Sequence, residues 1–288
     1  IAQVGEIVAR RALELTQPGD SILLLSGKGH NGDDVRAMAK HLQERDVSLL
    51  SITDPAKTLS NLATALKPRP ALVVDGLFGI GLNRVLDADW MQIISQLNAN
   101  RLRVLSVDVP SGVDAATGKI QGAAIRAEET LTLGAPKTGL LLSLAANYVG
   151  RLTVAPEIGL VPRTANSELQ LGQAEDFIGF PPPRPAGGHK STFGHVGIMA
   201  GSLGFHGAAV LAARGASRAQ PGLVTLLTPE EVFVPVASQL QSVMVQPIVP
   251  GEITIKSITT LLVGPGMASD RLPDDLKTTA DSMWHESS

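Results

Sequence analysis

The chain has 288 residues, 44% of them hydrophobic and 18% charged, with a net charge of -3 at pH 7. This composition is typical of a globular protein with a substantial core, and the length favours two domains. The sequence has no cysteine, which excludes disulfides, thiolate metal sites and cysteine nucleophiles. The near balance of charge argues against a nucleic-acid-binding surface, and no apolar stretch has the ~20 residues of a membrane-spanning helix. We therefore expect a cytoplasmic protein without nucleic-acid or membrane partners, and a homo-oligomer is compatible with this composition.

Short apolar runs alternate with amphipathic segments through the first half of the chain. The runs at 21–25, 47–52, 71–74 and 103–109 are typical of buried parallel strands, and residues 33–42 have the pattern of a helix. Strands separated by helices predict an α/β domain, with a parallel sheet covered by helices on both faces.

A proline cluster at 180–185 marks the predicted boundary between two domains. Consecutive prolines cannot donate backbone hydrogen bonds, so this segment is typical of an extended connector. Beyond it, apolar strands at 196–200 and 223–227, separated by a helix at 207–218, predict the start of a second α/β unit. We therefore predict domains at 1–165 and 186–288, joined by a linker at 166–185.

The first candidate ligand site is the glycine-rich segment Gly27–Asp34, between a predicted strand and a predicted helix. Glycines permit close approach of the backbone to a ligand, and the free N–H groups of a helix N-terminus suit a phosphate. Asn31 adds a neutral oxygen and Asp34 a negative charge. Gly27, Gly29 and Gly32 fit the G-x-G-x-x-G pattern, but a lone match leaves an ordinary glycine-rich turn equally open.

Two further motifs follow apolar strands. Asp75 ends one strand and precedes the glycine-rich loop 79–85, whereas Asp108 and Ser111 follow another strand within Val107–Asp114. Asp108 is a candidate general base and Ser111 a candidate oxygen ligand. Each of these motifs alone is also compatible with an ordinary turn.

The three motifs together predict one site. The carboxyl ends of parallel strands meet at the same edge of a sheet, so Asn31, Asp75 and Ser111 are expected to lie close together there. Their oxygen atoms are hard ligands, which suit a group IA or IIA cation rather than zinc.

These motifs, in this order and spacing, resemble the NAD(P)H-hydrate epimerase family, as does Leu133–Leu140, and the resemblance covers nearly all of residues 1–160. It implies a Rossmann-like three-layer αβα fold, here without the family's leading helix. It also implies K+ as cofactor and hydrated NADH or NADPH as substrate, whose R and S epimers interconvert at C6 of the damaged nicotinamide ring. Asp108 would be the catalytic residue, and Asn31, Asp75 and Ser111 the K+ ligands. The implied substrate contacts are His30, Asn31, Gly32, Asp33, Asp34, Gly79, Ile80, Gly81, Leu82, Asn83, Arg84, Val85 and Asp108.

The second half of the chain resembles the ADP- or ATP-dependent NAD(P)H-hydrate dehydratase family, in segments 189–196, 200–202, 207–210 and 264–266. This resemblance implies a partial ribokinase-like α/β domain that uses ADP or ATP with Mg2+ to remove water from the S epimer. Ala209 and Gly266 would contact the substrate. The family's later nucleotide-binding and catalytic segments have no counterpart in this sequence, so we expect no dehydratase activity from this chain by itself.

Two other functions stay open from the sequence. A nucleotide-binding or scaffold protein would keep the fold with weakened turnover, because His30, Asp33 and Val35 replace residues that the epimerase family usually has. A small-molecule kinase of ribokinase type would depend on the second half alone. Interconversion of the epimers by the purified protein separates the enzyme from the scaffold, and phosphoryl transfer would support the kinase.

Overall fold

The computed structural model describes residues 1–159, 171–172, 174–249, 258–267, 274, 277–278 and 281. Its contacts divide the chain into a first unit, Ile1–Leu171, and a second unit, Gly172–Ser288. The predicted linker at 166–185 lies partly outside the described residues, and its limits stay a prediction. No helix within the described ranges is long and apolar enough to cross a membrane.

The first unit alternates strands with helices, as its sequence pattern predicts. Two short 3-10 turns, at Ala39–His41 and Thr138–Leu141, supplement the regular elements. The elements are α1 (Ala2–Glu14), β1 (Ser21–Ser26), α2 (His30–Met38), β2 (Asp46–Ser51), α3 (Pro55–Leu66), β3 (Leu72–Gly76), α4 (Ala88–Ala99), β4 (Val104–Val107), β5 (Glu129–Leu133), α5 (Ala146–Val149) and β6 (Arg151–Ala155).

The six strands form one parallel sheet in the order β2-β1-β3-β4-β5-β6. The chain moves from β1 outward to β2 and then crosses back to β3, on the other side of β1. This reversal opens a crevice at the carboxyl ends of β1 and β3, which is where open α/β sheets bind ligands. The predicted α/β fold with a parallel sheet is confirmed.

Helices cover both faces of this sheet because the side chains of each strand alternate between the faces. In β1, Ile22 and Leu24 pack with α1 and α2, whereas Leu23 and Leu25 pack with α3 and α4. All four side chains are buried, and each such burial contributes about 1.5–3 kcal/mol to the free energy of folding. The result is the three-layer αβα arrangement.

The strand predictions agree with β1 to β4 within two residues, but three elements, α2, β5 and β6, differ from the expectation. The helix predicted at 33–42 begins earlier, at His30, so Asn31 and Gly32 lie in its first turn rather than in a loop. The sequence pattern also did not predict β5 and β6, because polar residues interrupt their apolar runs.

The second unit contains a second parallel sheet. Its elements are β7 (His195–Met199), α6 (His206–Arg218), β8 (Leu223–Thr228), α7 (Glu230–Ala237), β9 (Met244–Pro247) and β10 (Thr260–Val263), with 3-10 turns at Ala174–Phe177 and Lys190–Phe193. The four strands are arranged in the order β10-β7-β8-β9. Helices α6 and α7 pack on one face through Ala209, Val210 and Val236, among others. The predicted strands and helix agree with β7, β8 and α6 within one residue.

A buried ion pair joins α1 to the start of β5. Arg11 donates from Nε and Nη2 to the two carboxylate oxygens of Glu129, at 2.6 and 2.7 Å, and Thr153 Oγ1 donates at 2.9 Å. Burial acts to raise the pKa of Glu129, but the hydrogen bonds from Arg11 and Thr153 outweigh it and hold that pKa below its ordinary value. A carboxylate whose pKa is lowered by folding stabilises the protein above its unfolded pKa, and this stabilisation is lost as the pH falls through the folded pKa.

Replacing this carboxylate is therefore expected to remove a pH-dependent part of the stability. Glu129→Gln should lower the free energy of unfolding at pH 7 by about 1–3 kcal/mol, because the Arg11 guanidinium loses its buried partner. Below about pH 4.5 the difference between parent and variant should shrink, since the parent then loses the same charge. Urea unfolding at several pH values measures both effects. The matched control is Glu14→Gln, because Glu14 pairs with the same Arg11 at the surface; equal losses in the two variants would contradict the prediction.

Candidate functional site

Two glycines allow the turn after β1 to pack against its neighbours. A Cβ added to Gly27 would lie 2.0 Å from the carbonyl oxygen of Leu77, and one added to Gly32 would lie 2.1 Å from the carbonyl oxygen of Gly27. These are backbone clashes, so both positions require glycine. Gly29 differs, because an added Cβ would have no neighbour within 4 Å and its φ of -91° is open to any residue. The fold therefore does not explain the glycine at position 29.

The three predicted cation ligands meet at the carboxyl ends of β1, β3 and β4. Ser111 Oγ donates to Asp75 Oδ1 at 2.6 Å and accepts from the backbone N–H of Phe78 at 2.9 Å. Asn31 Nδ2 donates to the carbonyl oxygens of Phe78, at 2.8 Å, and Val107, at 3.0 Å. We call Asn31, Asp75, Ser111 and the Phe78 carbonyl the oxygen cluster. Its members come from residues up to 80 positions apart and are joined by hydrogen bonds.

Within the described part of the chain, the oxygen cluster contains one buried oxygen without a hydrogen bond and one buried charge without an opposite charge. Asn31 Oδ1 is buried and accepts no hydrogen bond. The Asp75 carboxylate is fully buried, and its donors Ser106, Ser111 and Leu77 are all neutral. Burial raises the pKa of Asp75 above its ordinary value, although these hydrogen bonds oppose the rise. One negative charge beside neutral oxygens suits a monovalent cation, so the residues fit the K+ expected from the resemblance.

Asp108 directly follows β4 and is held in an unusual conformation. Its φ is 67°, in the left-handed region that few residues other than glycine, asparagine and aspartate adopt. Its Oδ1 accepts hydrogen bonds from Lys137 Nζ and from the Leu133 N–H at 3.1 Å. Asp108 Oδ2 accepts no hydrogen bond from a described residue and is not fully buried, although the side chain as a whole is only 12% exposed. One oxygen of this carboxylate is therefore fixed, and the other has no donor in the described part of the chain.

The first turn of α2 carries the remaining residues predicted there. His30 is exposed, and Asp33 pairs with Arg36 at 2.6 Å, which lowers the pKa of Asp33. Arg36 also donates to the carbonyl oxygen of Gly27 at 3.0 Å, so its charge lies at the glycine-rich turn. Asp34 is largely buried, and this burial raises its pKa. The extra negative charge at Asp33 is therefore neutralised locally.

The predicted substrate loop 79–85 offers both exposed and buried positions. Gly79 packs against the Asn31 side chain, and Gly81 has no neighbour within 4 Å of an added Cβ. Leu82 differs from its neighbours, because its side chain is buried in the core beneath α3 and α4. A contact from Leu82 to substrate would therefore have to come from its backbone. The exposed positions of the loop are Ile80, Gly81, Asn83, Arg84 and Val85.

In the second unit, the loops after β7 and β10 meet. The Gly201 N–H donates to the Pro265 carbonyl at 2.8 Å, and the buried Ser202 donates from Oγ to the Gly266 carbonyl at 2.7 Å. Gly266 has a φ of 71°, in the left-handed region, and remains partly exposed. Ala209 is fully buried in the apolar core, so its side chain is not offered to a ligand. The substrate contacts predicted for Ala209 and Gly266 stay predictions.

Three residues that shape these sites have no role that the sequence predicts. Lys137 lies within the Leu133–Leu140 motif, but nothing local indicates that it reaches Asp108. Arg36 is three residues from Asp33 on α2, a spacing that predicts an ion pair on a helix and was the available signal. For Ser202, the available sequence signal is its position after a strand, in a glycine-rich turn.

Two family models match the chain, one in each unit. Residues 50–139 match the family model described as YjeF-related protein N-terminus, which includes Asp75, Asp108, Ser111 and Lys137. Residues 196–282 match the NAD(P)H-hydrate dehydratase family model, which includes Ala209 and Gly266. The first half of the chain is thus similar to the YjeF N-terminal family and the second half to the NAD(P)H-hydrate dehydratase family. The resemblance inferred from the motifs of both halves is thereby confirmed.

Curated bifunctional NAD(P)H-hydrate repair enzymes are similar to most of the chain. The bifunctional NAD(P)H-hydrate repair enzyme Nnr of Dictyoglomus turgidum is 35% identical over 73% of this chain and 46% of its own length. Those of Coxiella burnetii and Gloeobacter violaceus are 29% and 31% identical, over 93% and 85% of this chain and 60% and 55% of their own lengths. The chain thus spans about half the length of the curated relatives it matches.

Proposed function

We propose that the first unit is an NAD(P)H-hydrate epimerase, which interconverts the R and S epimers of hydrated NADH or NADPH. The observation that carries this proposal is the Asp108 carboxylate, with Oδ1 held by two donors and Oδ2 without a donor among the described residues. A carboxylate of this kind can take a proton from a substrate and return it. Similarity to curated NAD(P)H-hydrate repair enzymes supports the choice of substrate.

The chemistry required is modest. C6 of the hydrated ring carries both a hydroxyl and the ring nitrogen, so it is a hemiaminal. Asp108 Oδ2 takes the hydroxyl proton, the oxygen forms a carbonyl with C6, and the C6–N1 bond breaks. Its electron pair stays on the nitrogen and is delocalised through the remaining ring double bond onto the carboxamide. After rotation about C5–C6, the nitrogen adds to the other face of the carbonyl and Asp108 returns its proton to the oxygen.

The turn after β1 supports binding of the substrate's pyrophosphate. The free N–H groups at the start of α2 follow Gly29, where an added Cβ would have no neighbour within 4 Å, and such groups suit a phosphate. Arg36 neutralises Asp33 and so limits repulsion of a phosphate. Gly81, which the fold also leaves without a neighbour, lies on the loop predicted to contact substrate.

We also propose K+ at the oxygen cluster, with Asn31, Asp75 and Ser111 as ligands. When bound, the cation would neutralise the buried Asp75 charge and hold the loop after β3 against α2. The uncompensated Asn31 Oδ1 and Asp75 support this site.

Potassium is therefore expected to stabilise the protein, independently of activity. Replacing choline by K+ at equal ionic strength should raise the melting temperature. At a K+ concentration ten times its Kd, the free energy of unfolding should rise by about 1.4 kcal/mol. Asp75→Asn should abolish this dependence, because the neutral amide no longer balances a cation. Ser106→Ala is the matched control, since Ser106 donates to the same carboxylate at 2.9 Å but is not a proposed ligand. Equal melting temperatures of the parent protein in both salts would exclude the site.

For the second unit, we propose that it forms the first part of a dehydratase domain that uses ADP or ATP with Mg2+. The dehydratase family match over 196–282 supports this, together with the meeting of the loops after β7 and β10. Ala209, through its backbone, and Gly266 are the proposed substrate contacts.

The experiment that tests the epimerase proposal uses the purified chain with the separated R epimer. Chromatography should show the S epimer appearing until both reach equilibrium, without added nucleotide. If the epimers interconvert no faster than in buffer, the fold carries a nucleotide-binding or scaffold function instead. Phosphoryl transfer from ATP to a small-molecule acceptor would point to the kinase.

A further inference from the structure

Lys137 is fixed more tightly than a surface lysine. It lies four residues after the end of β5, and its side chain is only 19% exposed. Its Nζ donates to Asp108 Oδ1, to Thr132 Oγ1 at 3.1 Å and to the Leu133 carbonyl at 2.7 Å. An ammonium group has three hydrogens, so all its donors are engaged within the protein. Lys137 therefore has no free donor for a substrate.

The partner of Lys137 is the carboxylate on which the proposed epimerisation depends. Lys137 and the Leu133 N–H both donate to Oδ1 of Asp108, which stops the carboxylate from exchanging its two oxygens by rotation. The left-handed backbone of Asp108 directs this side chain, and the two donors retain it. Lys137 attracts the negative charge of Asp108, whereas the nearby Asp34 carboxylate repels it.

We infer that Lys137 is a positioning residue for the epimerase reaction, which fixes Asp108 Oδ1 so that Oδ2 alone exchanges the proton. The inference rests on the proposed function of the first unit, and it assigns Lys137 no contact with substrate. The physical reason is geometric: a base held in one orientation reacts from a larger fraction of its encounters than one that rotates.

Lys137→Met tests this role, because methionine retains the apolar stem and removes the ammonium. The expected result is a fall in kcat of about 10- to 100-fold, with little change in KM, since substrate contacts remain. Lys137→Arg should recover part of the loss, because a guanidinium can still donate to Asp108. The matched control is Lys119→Met, which removes an exposed lysine, and melting temperatures establish that each variant is folded.

The separate effects on kcat and KM, and the recovery in Lys137→Arg, distinguish positioning of Asp108 from a merely structural role. A parallel loss of kcat and melting temperature in Lys137→Met, without recovery in Lys137→Arg, would overturn the inference, as would an unchanged kcat.

A second readout separates this inference from the proposed function. Carbon-13 NMR of aspartate-labelled protein follows the Asp108 carboxyl directly, with Asp108→Asn to assign its signal. Lys137→Met should change the chemical shift of that signal at pH 7, whether or not the parent interconverts the epimers. An inactive parent whose signal moves in the variant would reject the epimerase proposal and retain the pairing, whereas an unmoved signal would reject the role of Lys137 even in an active enzyme.

Discussion

Asp108→Asn is expected to reduce epimerisation by about 10²- to 10⁴-fold, the range for removal of an acid-base group. Asparagine has nearly the same shape, tolerates the left-handed φ of 67°, and still offers an oxygen to the Leu133 N–H. It cannot take a proton from the substrate, however. The loss should therefore appear in kcat while the protein remains folded. Initial rates with the R epimer, measured beside a thermal melt, give both quantities.

Asp114→Asn is the matched control for this change. Asp114 lies in the same loop, but its carboxylate accepts from the N–H and Oγ1 of Thr117 and closes a turn. Its replacement should leave the epimerisation rate close to that of the parent. If Asp108→Asn retains the activity of the parent, the base lies elsewhere in the crevice, and the reaction does not proceed through Asp108 Oδ2.

The second large effect concerns Gly27 and Gly29 in the turn after β1. Replacement by alanine should destabilise the fold at Gly27 but not at Gly29. Gly27→Ala is expected to lower the free energy of unfolding by on the order of 3 kcal/mol, because the new methyl group would meet the Leu77 carbonyl oxygen at 2.0 Å and the backbone must shift. Gly29→Ala should change stability by less than about 1 kcal/mol, since the position is open and its φ is ordinary. Urea unfolding of the two variants makes the comparison.

For substrate binding, the effect is expected in Gly29→Ala. If Gly29 is kept bare for close approach of the substrate, Gly29→Ala should raise KM about tenfold, which corresponds to about 1.4 kcal/mol. Gly19→Ala is not a suitable control, because Gly19 has a φ of 87°. Gly187→Ala serves better, since an added Cβ there has no neighbour within 4 Å and the position lies in the second unit. An unchanged KM for Gly29→Ala would remove the phosphate-binding role from this turn.

The open and crowded glycines also show why the G-x-G-x-x-G match was weak from sequence. Gly27 and Gly32 serve packing between backbone segments, whereas Gly29 has no packing reason. All three positions are glycine in the sequence, and only the neighbouring atoms distinguish a glycine needed by the fold from one available to a ligand. The proposed phosphate contact therefore depends on one of the three positions.

The regular part of the first unit could be predicted because its cause is local. β1 and β3 are buried on both faces by helices, so their sequences are nearly continuous apolar runs, and strands of this kind are recognisable without their partners. The strand ends then place Asp75 and Asp108 at one edge of the sheet by topology alone. For the same reason, the two family resemblances could be read from motifs at strand ends.

Only the tertiary structure decided the features whose causes are distant in sequence. β5 contains the buried polar residues Glu129, Thr130 and Thr132, which no apolar pattern predicts. They are accommodated because Arg11 pairs with Glu129, 118 residues away, and Thr130 donates to the Val149 carbonyl at 2.7 Å. Likewise Lys137 reaches Asp108 across 29 residues because β4 and β5 are adjacent in the sheet. The sequence by itself determined which residues stand at the strand ends; the packing of the strands decided which of them are paired, which are left open, and hence which oxygen is free to exchange a proton.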